Sequence, residues 1–311
     1  MKLKVQVPAS TANLGPAFDC AAVALNLHLC VSVESRSEGF ELSYQGVHRD
    51  RIALGDENLI VQAIKRFTSR GAGQKLGARL LVENNIPVGV GLGSSAAAII
   101  AGLLIGAHLS GVQVAPNQIL REALRMESHP DNISAALHGG MVVAGTFPTG
   151  QQDPSGRESL DVHVLRTEVS PDLHFIAVTP DVPLPTEQAR HILPDKYSRS
   201  DAVKNLQNSA LIAAAFFSGQ RLSPEFFGDR IHQPFRAPLV PGIEACLKYR
   251  HPDLGGIFLS GAGSSIMAIA YQNEREIAES LVKLFAESGV HATPSILHAD
   301  NAGAQVHSLT S

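Results

Sequence analysis

Polar and apolar residues alternate over residues 2–7, and a longer period-two run follows at Val23, Leu25, Leu27, Leu29, Val31 and Val33. Both predict strands. The segment between them, PASTANLGPAFDC from Pro8 to Cys20, is rich in turn formers and small polar residues. It predicts a loop held by two strands, the setting in which sites are built. Asp56 caps a predicted helix whose apolar positions Leu59, Ile60, Ile64 and Phe67 keep helical spacing, with Gly71 expected to end it. A strand at Arg79–Glu83 then leads into a Gly-rich turn and an Ala-rich helix opening at Ser94. Pro116 suits the first turn of a further helix running to about Glu127, before a short helix to Leu137 and a strand at Met141–Ala144.

The stretch PTGQQDPSGRESLD, residues 148–161, crowds Pro, Gly, Ser and charge together and reads as a linker. A domain boundary is therefore expected near residue 168, dividing the chain into 1–168 and 169–311. The second part predicts strands at Leu173–Val178, Ile257–Ser260, Ile266–Tyr271 and near Val306, with helices at Asp201–Phe217 and Glu274–Ser288. Interleaved strands and helices in both halves make this a mixed α/β chain of two domains.

Composition narrows the function classes. With 25 Lys and Arg against 29 Asp and Glu, no basic field draws the chain to nucleic acid or to an anionic membrane. Cys20, Cys30 and Cys246 are odd in number and widely spaced, which fits a reducing compartment and excludes a cysteine-built zinc site. The start MKLKVQVPAS reaches Pro8 before the apolar core of a signal peptide can form, so a cytoplasmic location is expected. No Asp, Glu, Lys or Arg occurs between Glu83 and Arg121, yet the apolar run Ala96–Leu109 is shorter than the ~20 residues needed to span a bilayer. A buried helix is expected there.

The sharpest chemical signal is the turn Ile86-Pro-Val-Gly-Val-Gly-Leu-Gly-Ser-Ser-Ala96. Gly89, Gly91 and Gly93 let successive backbone N–H groups approach an anion, and the following helix adds its positive end. Pro87 to Ala97, that is Pro87, Val88, Gly89, Val90, Gly91, Leu92, Gly93, Ser94, Ser95, Ala96 and Ala97, are the candidate phosphate-binding residues. Gly91–Ala96 also satisfies G-x-G-x-x-A, but no Asp or Glu lies near position 113 to hold a ribose, as a dinucleotide fold requires. A Walker loop is excluded because no Lys follows the glycines. A branched side chain at Gly93 is expected to weaken nucleotide binding with the fold intact.

In this setting P-x-x-x-G-L-G-S-S-A resembles the second signature of the galactokinase, homoserine kinase, mevalonate kinase and phosphomevalonate kinase (GHMP) superfamily. The first signature is matched by Pro8-Ala-Ser-Thr-Ala-Asn-Leu-Gly-Pro-Ala-Phe-Asp19, in its homoserine kinase form, and the third by Leu259-Ser-Gly-Ala-Gly-Ser-Ser265. Glu127-Ser-His-Pro-Asp-Asn132 and Asp229-Arg-Ile-His-Gln-Pro-Phe-Arg236 are also similar to homoserine kinase segments. Ala17, Ser128 and Ser264 depart from the usual residues by small-for-small exchanges.

The resemblance implies an α+β fold: an amino-terminal domain with a left-handed β-α-β crossover and a ferredoxin-like carboxyl-terminal domain, the substrate lying between them. It implies ATP and Mg2+ as cofactors, L-homoserine as acceptor and a possible homodimer; mevalonate-type and shikimate-type kinases, or a catalytically silent nucleotide binder, are the alternatives. Magnesium would use Ser95 with Glu127 or Glu122, both kept open. The homoserine pocket would comprise Asn13, Asp19, His129, Asp131 and Asn132, with Arg190 and Arg236 suited to a carboxylate and Thr186 beside them. Asn13, Asp131 and Asn132 are the candidate catalytic residues, and whether Asp131 acts as a base is left open.

Overall fold

The computed structural model describes residues 2–68, 77–152, 156 and 158–308. Strands β1 (Lys2–Ala12) and β2 (Ala21–Arg36) pair antiparallel, and their alternating apolar positions, Leu3, Val5, Val7, Val31 and Val33, are buried in the core. Next come β3 (Gly39–Gly46), α1 (Leu59–Thr68) and β4 (Gly77–Asn84), a β-α-β unit in which β3 and β4 run parallel. Helices α2 (Ser94–Leu109), α3 (Pro116–Leu124) and α4 (Pro130–His138) pack with α1 and the sheet, and the hairpin β5 (Met141–Gln152) and β6 (Glu158–Thr167) joins at the start of β2.

A second sheet follows. It contains β7 (His174–Pro180), then α5 (Thr186–His191), α6 (Arg199–Ser218), α7 (Gln233–Arg236) and α8 (Ile243–Leu247), then β8 (Leu254–Leu259), β9 (Ile266–Ala270), α9 (Glu274–Glu287) and β10 (Ala292–Leu297). Its order is β10-β7-β9-β8, antiparallel throughout, which is the ferredoxin-like arrangement of a β-α-β-β-α-β chain. The chain then returns to the first sheet, where β11 (Gln305–Ser308) lies antiparallel on the outer edge of β1.

Several local expectations change. Pro8 lies within β1, because a register shift between Pro8 and Ala9 absorbs the break in the ladder; the loop therefore begins at Asn13. The linker-like stretch 148–161 falls largely within the hairpin, with Phe147 opposite Asp161 and Pro148 opposite Leu160. Pro148 and Gly150 are tolerated on β5 because past Val143 it pairs only with β6 among the described residues, leaving its other side an open edge. Helix α3 ends at Leu124, so Glu127 lies in the turn after it. The expected helix end at Gly71 lies outside the described residues. β3, β6 and β10 carried no strong periodic signal in sequence, and Arg190 and Arg236 lie on the short helices α5 and α7.

Helix α2 is buried along most of its length, and among the described residues no helix is long and apolar enough to cross a membrane. Its glycines let α1 approach: a Cβ on Gly102 would lie 2.4 Å from the Ile60 carbonyl oxygen, and one on Gly106 would lie 2.7 Å from that of Ile64. Both obstacles are backbone and cannot rotate away. Gly102→Val should therefore cost at least about 1–3 kcal/mol, the usual range for overpacking, measured as a lower urea midpoint. An unchanged midpoint would mean that the two helices can separate freely.

Candidate active site

The Gly-rich turn, the 13–19 loop, the start of α4 and the 260–263 loop converge on one cleft. It is lined by Asn13, Asp19, Glu127, His129, Asp131, Asn132, Arg190, Arg236, Gly261 and Ala262 together with Gly89, Gly91–Ser95 and Ala96. Gly89, Gly91 and Gly93 have φ of 75°, 86° and 70°, values that favour glycine. No side chain caps α2, so its first amides keep free N–H groups at the cleft. A Cβ on Gly89 would meet nothing within 4 Å, whereas one on Gly93 would lie 2.1 Å from the Ser10 Oγ and 3.2 Å from Asn132 Oδ1. The expectation that Gly93→Val spares the fold is thus overturned: that position packs on the protein. Leu92 lines the cleft but points its carbonyl back to the Ser10 amide, at 3.2 Å. Pro87, Val90 and Ala97 line neither the cleft nor its neighbouring pocket; Val90 and Ala97 are buried in the core.

That neighbouring pocket shares Ser94 and Ser95 with the cleft and is walled by Tyr44, Ile52, Asn58, Val88 and Ala98. Val88, Ser94 and Ser95 belong to the Gly-rich turn, but nothing in period or spacing marked Tyr44, Ile52, Asn58 or Ala98 as part of a site in sequence. Its mixture of apolar walls and amide groups suits a flat heteroaromatic base.

On the acceptor side, charges are paired with care. Arg190 holds Asp19 bidentately, Nη2 donating to Oδ1 at 2.8 Å and Nη1 to Oδ2 at 3.1 Å. His129 stands between two carboxylates, its Nδ1 3.0 Å from Glu127 Oε1 and its Nε2 4.0 Å from Asp19 Oδ2. Arg236 is 1% exposed. Its Nε donates to the Ala189 carbonyl at 2.8 Å, and its Nη1 lies 3.3 Å from both the Gly261 carbonyl and His232 Nδ1. Burial first and the neighbouring Arg190 second pull its pKa down to about 10, which leaves it charged at neutral pH. Phe18 spaces the two guanidiniums, 5.4 Å from Arg190 and 5.1 Å from Arg236. Phe18, His232, Gly261 and Ala262 join the site without having been singled out in sequence.

The amides are partly spoken for. Asn13 donates to the Gly261 carbonyl at 2.7 Å and accepts from the Asp19 amide at 3.0 Å, so it closes the loop as well as lining the cleft. Asn132 Oδ1 accepts from Ser10 Oγ at 2.7 Å, which turns its NH2 group toward Asp131, 3.4 Å away. Ser95 is exposed at the second position of α2. Glu127 lines the same cleft, but Glu122 is only 4% exposed and its two oxygens accept from Arg66, at 3.0 Å, and Arg125, at 2.6 Å. Thr186 opens α5, and its side chain lies outside what is described.

A profile of the GHMP kinases N terminal domain matches residues 58–140, which contain the Gly-rich turn and α2 to α4. Fold and cleft together therefore define a small-molecule kinase of the GHMP class. Over 309 residues the chain is 37% identical to a homoserine kinase of Caldanaerobacter subterraneus subsp. tengcongensis, covering 98% of this chain and 95% of that protein. A homoserine kinase of Desulfitobacterium hafniense is 35% identical over 308 residues, covering 98% and 99%. The crystal structure of homoserine kinase from Cytophaga hutchinsonii superposes with a TM-score of 0.82 at 25% identity, covering 98% of this chain and 97% of that one. The chain belongs to the homoserine kinase family.

Asp131 lines the cleft yet is only 2% exposed. Burial pushes its carboxyl up to about 6, Asp19 and Glu127 push the same way, and the Asn132 amide and His129 oppose them. The folded chain thus holds this proton more tightly than the unfolded one does. The resulting stabilisation is present below about pH 4 and is lost as pH rises through about 6. Asp131→Asn should be more stable than the wild type by about 1–3 kcal/mol at pH 8, with the difference shrinking toward pH 4. Urea melts of both proteins at the two pH values check this, and a less stable variant at pH 8 would contradict it.

Proposed function

We propose that this protein transfers the terminal phosphoryl group of ATP to the side-chain hydroxyl of L-homoserine, forming O-phospho-L-homoserine and ADP on the route to threonine. The observation that carries this reading is one cleft in which a bare amide loop faces a cation, an anion and an uncharged amide. L-Homoserine offers the matching carboxylate, ammonium and hydroxyl. Arg236, with Arg190, would hold the carboxylate, and Asp19 the ammonium. The hydroxyl would lie by Asn132 and Asp131, with Asn13 and His129 closing the pocket. The ATP phosphates would follow Gly89 to Ser95 and the base would enter the pocket beside Asn58. The two parts, 1–168 and 169–311, the second of which lends β11 to the first sheet, would form the walls of the cleft in a cytoplasmic enzyme.

Phosphoryl transfer depends chiefly on positioning and charge stabilisation, which fixed amides and guanidiniums supply. Asp131, largely ionised at neutral pH, would accept a hydrogen bond from the acceptor hydroxyl and take its proton as the bond to phosphorus forms. A magnesium ion, when bound, would neutralise charge on the triphosphate. Its protein donors would be the exposed Ser95 hydroxyl and the Glu127 carboxylate, an oxygen set that suits the ion. Glu122 suits it less, since both its oxygens are already held by guanidiniums.

Release of ADP should require L-homoserine, measured by a coupled assay with and without the amino acid. Arg236→Leu should raise the homoserine KM by at least about thirtyfold, the equivalent of losing roughly 2 kcal/mol or more from a buried charge pair, with the ATP KM changed less than about twofold. 3-Aminopropanol, which lacks the carboxylate, should be a poor acceptor; efficient phosphorylation of it would overturn the assignment.

For the metal, Glu127→Gln should raise the magnesium needed for half-maximal rate by about tenfold and lower kcat. Glu122→Gln should instead lower the melting temperature by removing the buried carboxylate to which Arg66 and Arg125 donate, and leave the magnesium titration in place. Exchange of these two phenotypes would assign the metal to Glu122.

A further inference from the structure

Behind the acceptor side of the cleft lies a fully buried histidine. His232 Nε2 is 2.8 Å from the Gly15 carbonyl, which can only accept, so this nitrogen carries the proton. Its Nδ1 is 3.3 Å from Arg236 Nη1, which can only donate, so that nitrogen presents a lone pair. Contacts alone therefore define one neutral tautomer with both ring nitrogens used. Its face stacks on Phe18, centroids 5.1 Å apart and planes 25° apart, and Phe18 is the residue next to Asp19. The backbone at His232 is equally constrained: Asp229 accepts from the amides of Ile231, His232 and Gln233, at 2.9, 2.9 and 2.6 Å, and so holds the start of α7.

The charged groups facing the ring are Asp229, whose Oδ2 is 3.6 Å from Nε2, Arg236 itself, and Asp19 across Phe18. Protonating Nδ1 would turn a donor toward a guanidinium at a site fully buried from solvent. Burial above all, aided by Arg236 against the opposing pull of Asp229, holds this imidazole down at about 4.

We propose that His232 is a positioning residue: its neutral ring aims the Arg236 guanidinium into the cleft and ties it to the loop that presents Asp19. Three of the bonds of Arg236, to Ala189, Gly261 and His232, restrain it from behind. No described acceptor holds Nη2, which is left to meet a carboxylate. The imidazole thereby sets the separation between the carboxylate anchor and the ammonium anchor, and with it the preference for an α-amino acid. This inference rests on the reading of Arg236 as the carboxylate anchor.

Two substitutions separate the two ring nitrogens. Asn places an oxygen the same number of bonds from Cβ as Nδ1, keeping the acceptor for Arg236. Gln places an N–H the same number of bonds out as Nε2, keeping the donor to Gly15. Loss of an acceptor from a charged donor should make the homoserine KM of His232→Gln roughly ten- to a hundredfold that of wild type. His232→Asn should show a clearly smaller rise, and the ATP KM should stay within about twofold in both. Equal homoserine KM values in the two variants, or a parallel rise in ATP KM, would overturn the proposal. Nitrogen-15 NMR of the wild-type protein tests the tautomer without any substrate, with the His232 signals identified by their loss in His232→Asn. A proton on Nε2 and none on Nδ1 from about pH 8 to about pH 5 supports the proposal. A proton on Nδ1, or titration near the ordinary histidine value, refutes it. Should the wild-type protein fail to phosphorylate L-homoserine, the proposed function falls and the NMR result judges the tautomer separately.

Discussion

The loops of the two sheets meet where the Ser260 carbonyl oxygen occupies the space a Cβ on residue 91 would need, 2.1 Å from it. Only glycine permits this, and the gap it leaves is filled with hydrogen bonds. Ser260 Oγ donates to the Gly91 carbonyl at 2.6 Å and, with that proton committed, accepts from Thr11 Oγ1 at 2.8 Å. Gly261 gives its amide to the Ala12 carbonyl and takes the Asn13 side chain on its own, while the Ser265 amide reaches the Val90 carbonyl. Three segments far apart in sequence thus share one buried polar junction. Because unpaired polar groups are costly away from water, no strand of this junction can be withdrawn alone. The floor of the cleft is consequently a product of the whole chain.

The same economy governs the charges. A buried guanidinium, a buried carboxyl and a buried imidazole lie in adjoining layers at Arg236, Asp131 and His232. Each would be expensive in isolation, and each is instead held by carbonyls, amides or a neighbour of opposite charge. Where compensation is incomplete, the protonation equilibrium records it: Asp131 is pushed up and His232 down, both mainly by burial. Such displaced equilibria gather where chemistry needs a group ready to exchange a proton or kept from doing so. Asp131 faces the cleft and His232 lies behind it, which fits the first condition to one and the second to the other.

How far this was legible in sequence depended on the range of the interaction involved. The Gly-rich turn stood out locally as a candidate phosphate loop, although its spacing alone also fits a dinucleotide pattern, and the first part of β1 and most of β2 were readable from period alone. The pairing of β5 with β6 was hidden, since Pro, Gly and Ser signal a linker unless an edge position tolerates them. β11 carries only a short weak alternation and exists because β1 offers an edge to pair with. Arg190, Arg236 and Asp19 entered through family resemblance, for nothing in their spacing shows that residues 171 apart form a bidentate pair. Phe18 and His232 lay within the matched segments without a role of their own for the same reason: their importance is a matter of what packs on them.

The loop from Asn13 to Asp19 brings these threads together. Asn13, Leu14 and Asp19 all have positive φ, 72°, 40° and 58°, and Leu14 is a bulky residue for which that conformation is costly. Strain of this kind persists only where the surroundings over-determine it. Here Leu14 is wholly buried, Asn13 is bonded at both ends of its amide, the Gly15 carbonyl receives His232, and Gly15 passes so close to the Phe227 carbonyl that a Cβ would lie 2.5 Å from it. A loop fixed at so many points presents Asp19 at one place relative to Arg236. Pre-organisation of this sort moves the entropic cost of ordering the site from the binding step to folding, where the core of the whole chain offsets it.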